Sequence, residues 1–467
     1  MSDEAGQATP GQTTAATGSA NVPANVSTTV AALWRIEAAR IVGSVARIVR
    51  DVGLAEELAQ DAVVAALECW PRDGIPERPG AWLLTAARNG ALDRLRRDRT
   101  LRAKLEQIGL DLEAQAALAV PDFVDELDAR RRDVIKDDLL RLMFTACHPL
   151  LSLDARMALT LKLLGGLQTA EIARAFLAPA ATVAQRIVRA KRTLGEARVP
   201  FELPPPAELG QRLGAVLEVV YLVFNEGYTA TAGEDWLRPA LIDEALRLGR
   251  NLAELAPEEP ETHGLVALME LQASRIHARV DAAGRPVLLL DQDRARWDGV
   301  LVRRGLAALA RGERQASAAA NGRPHGQHDR HGRYGAPGPY LLQARIAACH
   351  ARAHRAELTD WHAIASLYAE LAAVQPSPVV ELNRAVAVGM AEGPAAGLVL
   401  VERLAADSRL DGYHWLPSVR GDLLAKLGRE AEARSEFERA AALTANARER
   451  ALLLARAAAC TRGPDAT

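Results

Sequence analysis

The stretch TAEIARAFLAPAATVAQRIVRAKRTL, Thr169 to Leu194, reads as two short amphipathic helices joined by a tight turn. Thr169 is placed to cap the first, with Ile172, Ala173 and Phe176 facing inward; Ala178 and Pro179 form the turn. The second helix carries Val183, Ile187 and Val188 on its inner side. This is a helix-turn-helix. In that geometry the start of the second helix enters the major groove, so Ala181, Thr182, Gln185, Arg186, Arg189 and Arg192 are placed to reach base edges and phosphates. Arginine pairs bidentately with guanine and glutamine with adenine. The competing reading is a plain helical hairpin whose arginines form a solvated face. A preceding helix, Arg156 to Leu164, ends at Gly165 and Gly166 and completes a three-helix unit.

The composition agrees with a helical molecule. The chain has 467 residues, 49% hydrophobic and 4% aromatic, and is rich in Ala, Leu and Arg. That balance disfavours strands and predicts an all-α fold of about three domains at ~150 residues each. Lys and Arg total 57 against 59 for Asp and Glu, a net charge of -2, so any nucleic-acid surface must be local. Four scattered cysteines, Cys69, Cys147, Cys349 and Cys460, form neither a metal-binding nor a redox pair, and fit a reducing cytoplasm. Residues 1–28 read as a disordered tail with no signal-peptide pattern, and no apolar run reaches membrane length, so no membrane partner is expected.

Between the tail and the helix-turn-helix lie two further blocks. Residues 29–104 read as three helices, the first with Leu33, Ile36, Ile41, Val45, Ile48 and Val49 on one stripe. The second, Leu54 to Trp70, ends at a Pro- and Gly-rich loop beginning at Pro71. The third ends RNGALDRLRRDRTLRAK, where seven basic residues face two acidic ones, a local net of +5 suited to phosphates. Residues 105–138 reverse the sign and read as an acidic linker; residues 139–200 form the helix-turn-helix unit.

The order of these parts resembles the extracytoplasmic-function (ECF) sigma factors of bacterial RNA polymerase. In that family, region two bears an acidic helix matched here by Glu56, Glu57, Leu58, Gln60 and Asp61, which the resemblance implies docks on the clamp helices of core RNA polymerase. The family's Trp-to-Arg motif is matched by Trp82, Leu83, Ala87, Arg88, Asn89, Asp93, Arg94, Arg96 and Arg97, implying a surface that opens and reads the minus-ten promoter element. Region four, 139–200, would read the minus-thirty-five element. Melting needs a basic surface for phosphates and stacking groups for flipped bases; the first is plain here, whereas Trp82 also reads as a core residue. Two departures bear on the DNA surfaces: Gly90 and Ala91 follow Asn89 where aliphatic residues are frequent, and Ala180 and Ala181 leave the recognition helix bare at its start.

Residues 207–460 read as a series of helices broken by Gly and Pro, interrupted by a flexible loop at 312–339. Ala395 aligns with Ala431 and Glu402 with Glu438, a spacing near the tetratricopeptide (TPR) period of ~34 residues. Such helix pairs stack into a concave surface for peptides or proteins. Stretches such as FNEGYTAT and LDGYHWLP resemble the TPR-like extension on one subgroup of these sigma factors, which implies control of the sigma half or contact with polymerase. Asp291, Asp293 and Asp298 read as a salt-bridged turn, and His325, His328 and His331 as part of the loop. No nucleophile with a base, phosphate loop or metal motif is visible, so no catalysis, metal or cofactor is expected. The alternative function is a one-component helix-turn-helix regulator whose TPR-like half binds a ligand or peptide; the helices between Glu56 and Arg97 are what such a regulator lacks a use for.

Overall fold

The computed structural model describes residues 24–107, 138–176, 178–228, 237–281, 285–321 and 337–460. These residues are helical throughout, apart from turns, loops and isolated bridge positions, among them the antiparallel pair Val280 and Pro286.

Helices α1 (Ala24–Val49), α2 (Val52–Asp73) and α3 (Pro79–Gln107) pack against one another. Asp51 caps α2, its Oδ1 accepting the Leu54 N–H at 2.8 Å. The helix continues through Pro71, where the sequence suggested a break; only the last turn loses an N–H there, and Gly74 at φ 84° ends it. Helix α1 begins at Ala24, earlier than the expected end of the tail, and its inner stripe runs Trp34, Ala38, Ile41, Val42, Val45. Ile36, expected inside, is 72% exposed because Trp34 and Ala38 take that face.

The second unit comprises α4 (138–146), α5 (Leu153–Leu163), α6 (Thr169–Ala175) and α7 (Ala180–Glu196). Phe144, Leu159, Leu161 and Ile172 are fully buried in it, each worth roughly 2 kcal/mol. Thr169 lies within α6, and the reach-back bond is from Gln168 N–H to Glu171 Oε2 at 2.8 Å. Asp138, read as the end of the acidic linker, is the buried first residue of α4.

The remaining helices are α8 (Pro206–Tyr228), α9 (Pro239–Leu255), α10 (Pro260–Ala273), α11 (Gly299–Asn321), α12 (Pro339–Arg352), α13 (Trp361–Val374), α14 (Pro378–Ala391), α15 (Pro394–Leu404), α16 (Trp415–Lys426), α17 (Glu430–Leu443) and α18 (Ala447–Ala459). Chain neighbours pack in sequence, α8 on α9, α12 on α13, α16 on α17. The spacing that aligned Ala395 with Ala431 is one helix pair, from α15 to α17. One apolar core runs from Val26 on α1 to Ala273 on α10, so the N-terminal units and the start of the extension share an interior.

Candidate nucleic-acid interface

Helix α3 turns Leu83, Ala87 and Ala91 into the core, which by helical spacing leaves Arg88, Asn89, Asp93, Arg94, Arg96 and Arg97 exposed. Arg96 donates to Asp93 at 3.1 Å and Arg94 pairs with Asp98 at 3.4 Å, so both acids lie along the arginine ridge. Such exposed pairs are worth under ~1 kcal/mol and yield readily to phosphate. Trp82 is half-buried and meets Trp70 edge-on, ring centroids 5.5 Å apart, so its ring braces α3 on α2.

Helix α7 buries Val183, Ile187, Ala190 and Leu194 and exposes Ala181, Thr182, Gln185, Arg189 and Arg192. Val188 is not inside: it is 63% exposed, because the inner stripe advances from Ile187 to Ala190 and leaves position 188 beside Arg189. Arg186 is half-buried and held by Asp154 of α5 at 3.0 Å, whereas Arg192 pairs with Glu196 at 2.6 Å on the outer face.

The acidic motif of α2 divides. Glu57, Gln60 and Asp61 are exposed and Leu58 is half-buried beside Gly90 of α3. Glu56 is 3% exposed, so in this arrangement it is not part of a docking surface. It accepts from Gln60 Nε2 at 2.7 Å and pairs with Lys162 of α5 at 3.5 Å and with Lys191 of α7. A charge on this stripe is tolerable because two cations from the second unit meet it. The stem of Lys191 lies 3.7 Å from where a Cβ on Gly53 would stand, so the second half of α7 rests on the start of α2.

Further contacts that the sequence did not single out fasten the units. Arg35 of α1 pairs with Glu171 of α6, and Gly166, at φ 63°, packs against the Trp34 carbonyl and Ala38. Arg47 and Arg141 bind Asp138 at 3.1 and 2.9 Å; burial raises its carboxyl above the usual range against the pull of both arginines. On the other side, Arg212 of α8 donates to the Phe144 carbonyl at 2.9 Å, and Glu218 of α8 meets Arg156 at 3.5 Å. The helix-turn-helix unit is therefore held between α1 and α2 on one side and α8 on the other.

Two of the other sequence candidates, Asp293 and Asp298, have structural roles. Asp293 and Asp298 cap backbone N–H groups, of Ala295 at 3.0 Å and Val300 at 2.7 Å, and among the described residues neither forms the expected salt bridge. Arg294 instead binds the His350 and Ala353 carbonyls at 2.7 and 2.6 Å. Among the described residues no cluster of His, Cys, Asp or Glu could hold a metal, and no helix is long and apolar enough to cross a membrane. His325, His328 and His331, and most of the acidic linker, lie outside the described residues.

Comparison with known proteins matches residues 33–100 to Sigma-70 region 2 and residues 141–194 to Sigma-70 region 4. Residues 212–313 match a family of unknown function, DUF6596. An uncharacterized protein of Rhizobium meliloti is 44% identical over 88% of this chain and 91% of its own length. The ECF RNA polymerase sigma factor SigK of Mycobacterium ulcerans is 31% identical over 33% of this chain and 78% of its own. The "Probable ECF RNA polymerase sigma factor SigI" of Mycobacterium tuberculosis is 28% identical over 38% of this chain, which spans 58% of that protein. No solved structure matches.

Proposed function

Because the chain belongs to the ECF family of RNA polymerase sigma factors, we propose that it directs core polymerase to particular promoters and starts transcription there. The observation that carries this reading is the pairing of two separately presented basic helix faces, on α3 and α7, with an exposed acidic face on α2, which precedes both in the chain. Arg88, Arg94, Arg96 and Arg97 would line the minus-ten strand, with Asn89 beside them to meet a base. Trp82 would act from behind, holding α3 in register. Ala181, Thr182, Gln185, Arg189 and Arg192 would face the minus-thirty-five major groove, and exposed Val188 supplies an apolar contact of the kind that thymine methyls accept. Arg186 would join them once promoter phosphates compete with Asp154.

Glu57, Leu58, Gln60 and Asp61 would meet the clamp helices of core polymerase. Glu56 joins that face only when α7 leaves α2, so we read the Glu56, Lys162 and Lys191 cluster as a latch on the resting molecule. The TPR-like extension, which grips the region-four unit through α8, would then control that release or contact a protein partner. The site of action is the cytoplasm, where polymerase works.

The test is transcription in vitro with core polymerase and genomic promoter fragments, with and without the protein. Start sites that appear only with it establish the role. Silence from core polymerase, together with a shift of the same DNA, would favour the one-component regulator.

A further inference from the structure

A cavity of about 430 Å³ lies within the extension, walled by α8, α10, α12, α13 and α14. Its size falls in the range of small-molecule sites, ~300–1,000 Å³. Its charge is one-sided: among the described residues that line it, Arg275 is the one cation and none is Asp or Glu. No carboxylate pairs with Arg275 among the described residues; its guanidinium donates to the Gln272 side-chain oxygen and is flanked by the Tyr228 and Trp297 rings, at 5.8 and 5.7 Å.

The start of α14 also borders this space through Ser377, Val379 and Val380; it is the positive end of a 14-residue helix, with the Val379 N–H donated to the capping Ser377 Oγ at 3.2 Å and Glu381 in its first turn. Five side-chain amides complete the polar wall: Asn225, Gln272, Gln343, Gln375 and Asn383. His350, 8% exposed, lines the same space, and its Nδ1 has no hydrogen-bond partner among the described residues. Burial, with Arg275 and Arg294 nearby, pushes its pKa down to about 3, so the ring is neutral and adds no counter-charge of its own. Leu268, Ile346, Leu371 and the Tyr368 ring make the rest of the wall apolar.

We propose that this cavity binds a small organic anion, with its acidic group against Arg275 and the start of α14, its polar groups on the amides and its carbon frame on the apolar wall. A purely structural void has no use for a cation without a carboxylate, a helix terminus and an orphaned imidazole nitrogen along one wall.

The full chain is titrated with the fluorescent anion 8-anilinonaphthalene-1-sulfonate and, in parallel, with uncharged N-phenyl-1-naphthylamine. The sulfonate dye should occupy one site per chain, and Arg275→Met should weaken it at least tenfold while leaving the neutral dye within twofold. Ala347→Phe, which fills the cavity, should remove both. Circular dichroism and thermal unfolding show that each variant is folded; if Ala347→Phe is not, Arg275→Met carries the test alone. The proposal is overturned if the anionic dye does not bind, if its affinity ignores these substitutions, or if Arg275→Met weakens both dyes equally, which would make Arg275 a wall support only.

Discussion

Replacing Glu56 with Gln tests the latch directly, because it removes one charge and almost no volume. Lys162 lies 3.5 Å from Glu56, a Coulomb attraction of about 5 kcal/mol at an effective dielectric constant of ~20. Desolvation of the three groups offsets part of that, and loss of one partner from a buried pair typically costs ~3–5 kcal/mol. The lysine side chains are 10% and 20% exposed, so Lys191 can swing partly into water and the low end, about 3 kcal/mol, applies. Separating α7 from α2 rehydrates both cations without unfolding either unit, so most of this energy should appear as opening, a shift of roughly 150-fold. Energy transfer between dyes on positions 68 and 193, exposed sites on α2 and α7, measures that distance. Glu56→Gln should lower transfer, Lys191→Met should do so less, and the double variant should cost less than the sum. Unchanged transfer and an unchanged urea midpoint in Glu56→Gln would refute the latch.

Glu57→Lys with Asp61→Lys should abolish co-purification with core polymerase while leaving thermal unfolding unchanged, since both positions are exposed. Arg189→Ala should weaken promoter binding and flatten the plot of log affinity against log salt by about 0.9, measured by fluorescence anisotropy; an unchanged slope takes Arg189 off the phosphates. Gly166→Ala forces an L side chain into the left-handed region against Ala38 and should cost ~1–2 kcal/mol in urea unfolding. Burial raises Glu261 from 4.5 to about 7 although its carboxylate accepts the Tyr340 and Leu341 N–H groups. The folded state then holds a proton that the unfolded chain gives up near 4.5, so stability is full below that pH and falls by about 3 kcal/mol as pH rises through 7. Glu261→Gln should remove that slope, as read from urea midpoints between pH 4.5 and 8.

The helix-turn-helix was legible because its inner residues recur at helical spacing around one turn. The Trp-to-Arg run on α3 was legible because its charges cluster. Glu56 was not, since single charges read as solvent-facing; yet it stands on the stripe Val52, Ala55, Ala59, Ala62, and Lys162 interrupts the apolar run from Leu159 to Leu164, so both sites held the signal of a buried pair. Val188 was misplaced because two adjacent β-branched residues compete for one face and only Ile187 meets the core. The cavity had no sequence signature at all: its wall is assembled from five helices, spread from Tyr221 to Asn383.

Helix α8 joins two of these places. Arg212 and Glu218 on it hold the region-four unit, and Tyr221 and Asn225, on the turns that follow, border the cavity. Rigid helices do not bend cheaply, so a shift at one end of α8 is a shift at the other. By thermodynamic reciprocity, an occupant of the cavity that favours one seating of α8 must itself be held more tightly or more loosely by anything that reseats the region-four unit on α8.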